Sequence, residues 1–293
     1  ESAGDDPMGP YEYKGAMMPD VWNIDGNYLE HNGKLYLLYS QWQGDEQLNL
    51  IAELENPWTL KAGTPHTVLT RPELDWETSG RKVTEGAEIL KHNGRVFMSY
   101  SASFCETPDY KLGLLELIGD DPLNAAHWKK SPQPVFSRTE QVFGPGHNGF
   151  FTSPDGKEQW LVYHGNNKET DGCSATRSVR AQPFTYKADG TPDFGTPVPE
   201  GQTVAAPSGE NGPLTIVPEG VKWQLVNRST QLCLASSAQG LTEQACTKQG
   251  QWIIDPTTRA THWSPHDIWR SMRTARSSPK ACVTSRRNRH LRG

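Results

Sequence analysis

Apolar residues along the first two hundred positions fall in short dense runs broken by Asn-Gly and Asp-Gly pairs, without the i, i+3, i+4 spacing of an amphipathic helix. Three stretches share one pattern: Asn23 to Ser40, Thr84 to Ser101, and more loosely Gly146 to His164. Each reads as a short apolar strand, a two-residue turn and an aromatic-rich strand. Asn-Gly and Asp-Gly supply the positive φ values that tight hairpins require. The turn glycines Gly33, Gly94 and Gly156 fall 61 and 62 residues apart. Each hairpin is followed by a further strand-like run: Leu48 to Leu54, Lys111 to Leu117, and Ser178 to Tyr186. A hairpin repeating at this period, each copy extended by more short strands, is the sequence form of a β-propeller blade. The pattern predicts an all-β fold with about three blades, occupying residues 1–196.

The pattern then stops. Residues 197–218 are rich in Pro, Gly, Ser and Thr and read as a linker. A second unit, 219–256, starts near Val221 and holds Cys233 and Cys246; it is too short to bury a sufficient core alone. Residues 257–293 carry eight Arg and one Lys against the single acid Asp267, with no apolar periodicity. This segment is expected to be a disordered basic tail, with polyanion binding as its functional alternative.

Composition narrows the class. Only 34% of the 293 residues are in the hydrophobic set, but 10 Trp, 9 Tyr and 8 Phe each bury a large area, which argues against disorder. The formal net charge of −5 gives no reason to expect nucleic acid as a partner. No apolar run approaches the ~18 residues of a membrane-crossing helix, so no membrane partner is expected. The chain opens on Glu1 with no signal-peptide pattern.

Propellers surround a central channel with the innermost strand of each blade. Counting back eight or nine positions from each turn glycine gives Asp25, Glu85 and His147. Two carboxylates and a histidine at equivalent places suit acid/base hydrolysis of a glycoside, in which one carboxyl must be protonated and another ionised. A single Asp-Gly or Glu-Gly pair is more often a strand end; recurrence at equivalent positions favours the site.

These residues carry a family resemblance. Asn23-Ile24-Asp25-Gly26 with Tyr28-Leu29-Glu30-His31-Asn32-Gly33, Val83-Thr84-Glu85-Gly86, and Phe143-Gly144-Pro145-Gly146-His147-Asn148-Gly149 resemble glycoside hydrolase family 43, most closely its arabinan-directed exo-acting α-L-arabinofuranosidases. Supporting stretches are Glu53 to Trp58, Ser99 to Ser103, and Arg180 to Phe184. The resemblance implies a five-bladed propeller and an inverting two-carboxylate mechanism. Glu85 matches the general acid and Asp25 the auxiliary Asp that orients it and raises its pKa. His147 matches a channel histidine touching substrate or an ion, and Arg180 an arginine near the sugar. No cofactor is required, although a structural cation in the channel is compatible with the family. The family's general base lies on its first blade, whereas Pro7 to Gly15 resembles the approach to the third. Asp5, Asp6 and Asp20 do not sit in the base's motif, so an N-terminally incomplete propeller without the base is expected. Ala87-Glu88 departs from the usual Pro and small residue, adding a charge to the strand.

The second unit resembles one repeat of a ricin-type β-trefoil, through Trp223 to Asn227, Leu232-Cys233-Leu234, Cys246 and Gln251-Trp252. That resemblance implies a Cys233–Cys246 disulfide and an oxidising compartment. Ala235 stands where a sugar-binding Asp would be and Gly250 breaks the Gln-x-Trp signature, so this unit alone is not expected to bind sugar. Cys105, Cys173 and Cys282 are left unpaired, and no Cys/His spacing suggests zinc. The implied function is secreted, extracellular hydrolysis of terminal α-L-arabinofuranosyl linkages in plant cell-wall arabinan or arabinoxylan. The alternative is a non-catalytic, glycan-binding propeller lacking the base.

Overall fold

The computed structural model describes residues 1, 2, 4 and 10–211, and beyond them 222–223, 227, 230, 232–237, 240–246, 251–254 and 261–264. Two compact units divide the chain, Glu1–Asn211 and Gly212–Gly293. The described residues form strands, with only short 3-10 turns as helical elements.

The first unit is built from three antiparallel meanders. The first comprises β1 (Ile24–His31), β2 (Lys34–Gln43) and β3 (Glu46–Asn56), with β4 (Thr59–Leu60) and β5 (Thr67–Thr70) both pairing with β3. The second comprises β6 (Lys82–His92), β7 (Arg95–Ala102), β8 (Lys111–Leu117) and β9 (Trp128–Lys130). The third comprises β10 (Phe143–Thr152), β11 (Gln159–Asn166), β12 (Ser178–Tyr186) and β13 (Pro192–Asp193). Sequence predicts three separate sheets here. Instead, Glu46 and Gln47 pair in parallel with Lys82 and Val83, fusing the first two meanders into one nine-stranded sheet.

Local chemistry accounts for the hairpins. Asn32-Gly33 and Asn93-Gly94 sit at φ 50, 72, 48 and 76°, the two consecutive positive values of a tight hairpin turn. The third connection is not the expected two-residue turn: β10 ends at Thr152 and β11 begins at Gln159. Of its Asp155-Gly156 pair only Gly156 has positive φ. The Asp155 carboxylate is occupied by the hydroxyls of Ser153 and Ser208, which hold a wider loop.

The inner strands β2, β3 and β7 of the first two meanders are buried on both faces because both faces are covered. One face of β2 sends Tyr36 and Leu38 into a core with Ala87, Met98, Tyr100 and Leu115 of the second meander. Its other face sends Leu37 and Tyr39 against Leu48, Leu50 and the partly buried Met17 and Met18. Between the second and third meanders, Phe97, Leu112 and Leu114 pack on Leu161, Tyr163 and Phe184. Glu77, fully buried beside this sheet, is satisfied by the Tyr100 hydroxyl at 2.7 Å, the Lys130 ammonium at 3.0 Å and two backbone N–H groups.

The cysteines correct the sequence reading. Cys105, in the β7–β8 loop, forms a disulfide with Cys173, in the β11–β12 loop, so neither is unpaired. A sequence separation of 68 hid the pair.

In the second unit the described strands are β14 (Lys222–Trp223), β15 (Cys233–Ser237), β16 (Gly240–Gln244), β17 (Gln251–Ile254) and β18 (Thr261–Ser264). β15 and β16 form a hairpin, and β17 pairs with both β14 and β18. Cys233 and Cys246 are disulfide-bonded. β18 falls within the basic segment 257–293, whose residues 265–293, including Cys282, lie outside the described residues, as do Gly250 and linker residues 212–218.

Candidate active site

The first strands of the meanders, β1, β6 and β10, lie beside one another, and each is interrupted where the sequence aligns its polar residue. Register slips between Ile24 and Asn27 on β1, between Glu85 and Glu88 on β6, and on both sides of Gly146 on β10. Such bulges bend a strand and re-aim its side chains. Asp25 at φ 57° and His147 at φ 49° are non-glycine residues in the left-handed region, a strain of roughly 1–3 kcal/mol each that clusters at functional sites.

The bulges bring Asp25, Glu85 and His147 together. Asp25 Oδ2 accepts a hydrogen bond from the Gly86 N–H at 3.2 Å, and Asp25 Oδ1 lies 3.8 Å from His147 Nε2. Gly86 has positive φ, and a Cβ there would come within 3.2 Å of the His147 ring. Glycine after Glu85 is what lets the imidazole lie against the backbone. The Asp25 side chain is 14% exposed and that of His147 43%, so the histidine opens to solvent.

Glu85 is held through both carboxyl oxygens. Tyr110 donates its hydroxyl to Oε1 at 2.7 Å, and the Gln47 amide donates to Oε2 at 2.8 Å. Burial pushes the Glu85 carboxyl above the usual carboxylate range. The Tyr110 hydrogen bond, His147 and the Gln47 hydrogen bond pull it back, while the Asp25 charge pushes it further up. The group therefore holds its proton to higher pH than an exposed glutamate, as a general acid must.

Around these sit residues that sequence reasoning missed or left without a role. Tyr110, just before β8, is 1% exposed and stacks on His164 of β11 with ring centroids 5.6 Å apart. It fits only because Gly146 is glycine: a Cβ there would lie 2.6 Å from the tyrosine ring. Burial, with Arg177 and His147 adding to it, pushes His164 down to about 4, so it is a neutral imidazole. Neither of its ring nitrogens has a hydrogen-bond partner among the described residues. Glu88, also on β6, accepts from the Asn27 amide, which additionally bonds the Ala87 carbonyl at 3.1 Å. Burial pushes Glu88 up to about 6.

Arg180 stands apart. On β12 opposite Tyr163, it donates to the Val198 carbonyl at 2.6 Å and to the Asn167 side chain. Among the described residues it has no contact with Asp25, Glu85 or His147. A signal for His164 is present in the repeats: the three hairpins end Tyr39-Ser40, Tyr100-Ser101 and Tyr163-His164. Tyr110 and Gln47 hold equivalent places in the first two repeats, one residue before Lys111 and Leu48, but their side chains differ in type, and only tertiary contact shows that both reach Glu85. Among the described residues no group of three His, Cys, Asp or Glu side chains is arranged to hold a metal ion.

The comparisons with known proteins agree with one another. Glycosyl hydrolases family 43 matches residues 3–192. The chain is 41% identical over 226 residues to an extracellular exo-alpha-(1->5)-L-arabinofuranosidase of Streptomyces avermitilis, covering 73% of this chain and 46% of that protein. It is 39% identical over 195 residues to alpha-L-arabinofuranosidase 43 of Humicola insolens, covering 63% and 40%. The crystal structure of an alpha-L-arabinofuranosidase from Lactobacillus brevis superposes with a TM-score of 0.63 at 37% identity, covering 69% of this chain and 66% of that one. The chain spans less than half the length of the two curated relatives.

Proposed function

The chain belongs to glycosyl hydrolases family 43, and from that premise we propose that its Asp25–Glu85–His147 cluster hydrolyses terminal α-L-arabinofuranosyl linkages in plant cell-wall arabinan or arabinoxylan, with inversion at the anomeric carbon. The observation that carries this reading is the setting of Glu85: a partly buried carboxyl held by Tyr110 and Gln47 and flanked by Asp25 and His147, with desolvation pushing it above the usual carboxylate range. Glu85 gives its proton to the glycosidic oxygen as the C–O bond breaks, and water adds to the anomeric carbon from the opposite face. Asp25, anchored on the Gly86 N–H, stands beside the acid. His147, the open side of the cluster, contacts the sugar. The general base that takes the water's proton is assigned to no residue of this chain; inverting geometry sets it about 6.5–9.5 Å from Glu85. The steps so written need no cofactor. Two disulfides and relatives named extracellular support secretion.

Proton NMR of the first-formed anomer on an α-1,5-linked arabino-oligosaccharide tests the reaction, and β-arabinofuranose is expected. Glu85→Gln should lower kcat by roughly 10²–10⁴-fold on the oligosaccharide, the usual worth of a general acid. The loss should be far smaller on a dinitrophenyl arabinofuranoside, whose leaving group departs without protonation. Equal losses on both substrates, or retention of configuration, would overturn the assignment. Binding of the oligosaccharide without turnover by the wild-type chain would select the glycan-binding alternative.

A further inference from the structure

We propose that Tyr110 is a positioning residue for Glu85, its hydroxyl turning between Ser101 Oγ and Glu85 Oε1 according to whether that carboxyl holds its proton. The proposal rests on Glu85 acting as the general acid. It starts from the two hydrogen bonds that Glu85 accepts. Gln47 is 3% exposed, and its amide N–H occupies Oε2, keeping that oxygen an acceptor in either protonation state. The transferable proton therefore sits on Oε1, the oxygen 2.7 Å from the Tyr110 hydroxyl.

A phenol has one hydrogen to give and lone pairs to receive. While Oε1 is protonated, it and the Tyr110 hydroxyl cannot both point their hydrogens at each other. Beside the phenol stands the Ser101 hydroxyl: a Cβ at Gly146 would lie 2.6 Å from the Tyr110 ring and 3.3 Å from Ser101 Oγ, and that oxygen receives the His147 backbone N–H at 2.8 Å. Before transfer, Tyr110 gives its hydrogen to Ser101 and leaves Oε1–H free for the glycosidic oxygen. As that proton leaves, the phenolic hydrogen rotates onto the new carboxylate. No heavy atom moves, and the developing negative charge meets a preorganised donor.

The surroundings fix Tyr110 for this. Its ring is stacked against His164, lies over Gly146 where no side chain fits, and follows the loop clamped by the Cys105–Cys173 disulfide. Glu85 is faced by Asp25 from β1, Gln47 from β3, Ser101 from β7 and His147 from β10, with Glu88 on its own strand and His164 behind the phenol.

The test uses the whole chain with ¹³C-carboxyl-labelled glutamate, the Glu85 signal being assigned by its absence in Glu85→Gln. Tyr110→Phe keeps the ring and its stacking but removes the donor to the ionised form. The Glu85 midpoint should rise by roughly one to two pH units, the worth of a hydrogen bond to a charged group. Ser101→Ala removes the alternative partner, commits the phenol to Glu85, and should lower the same midpoint. Opposite movements in the two variants support the proposal; no movement, or movement in one direction in both, overturns it. In turnover, Tyr110→Phe should lower kcat with little change in KM and move the basic limb of the pH profile upward. A purely structural role would lower activity without moving that limb. The titration needs no substrate, so failure of the wild-type chain to hydrolyse overturns the proposed function by itself. Hydrolysis with inversion alongside an unmoved Glu85 midpoint overturns this inference alone.

Discussion

Glu85 and Glu88 stand three residues apart on one strand, and both are pushed upward chiefly by burial. Their partners separate them. Glu85 has two donors, a carboxylate and a histidine around it, whereas Glu88 has the Asn27 amide as its opposing influence. Glu88 therefore binds its proton more tightly in the folded chain than in the unfolded one, where its ordinary value is 4.5. The stability this contributes is fully present below pH 4.5 and is lost as pH rises through about 6. Glu88→Gln retains an acceptor for Asn27 and abolishes the charge. At pH 7.5 it should be more stable than the wild type by about 1 kcal/mol, discounted for partial exposure. At pH 4 the two should coincide. Urea unfolding at both pH values measures the difference, and a constant gap would reject this account. At this scale the sequence displayed Asp25, Glu85 and His147 because they recur at one place in a repeat. It could not display that Tyr110 holds Glu85, which depends on a hydroxyl reaching it from 25 residues along the chain.

Strand breaks, rather than strands, build the site. Asn-Gly turns and apolar runs made the strands of the first two meanders legible, since turn chemistry and burial on both faces are local demands. The bulges were not legible, because they arise where pairing between strands slips. Gly146 shows the dependence: its backbone needs no special φ, yet a Cβ would lie 2.6 Å from the Tyr110 ring and 3.3 Å from Ser101 Oγ. Gly146→Ala should cost about 1–3 kcal/mol by overpacking. It should also raise the Glu85 midpoint in the direction expected for Tyr110→Phe, by pushing the phenol off Oε1. Urea unfolding and the carboxyl titration read the two effects separately. A stability loss with an unchanged midpoint would show that the ring can yield without releasing the acid.

Across the molecule, the Cys105–Cys173 disulfide ties a loop of the second meander to a loop of the third, closing 68 residues of chain. Replacing both cysteines with alanine should cost about 2–4 kcal/mol through the freed unfolded chain. Thermal unfolding under non-reducing conditions checks this, and an unchanged Tm would mean that packing alone holds the two meanders. The chain's own residues settled the β-rich class, the spacing of its hairpins and the polar positions facing one another, since each follows from periodicity and turn preference within a few dozen residues. Tertiary structure alone decided that Cys105 pairs with Cys173, that the first two meanders share one sheet, that Arg180 turns to Val198 and Asn167, and which donors hold Glu85. These are contacts between distant segments. Their energies depend on distance, angle and exclusion of water, quantities that exist only once the strands have met.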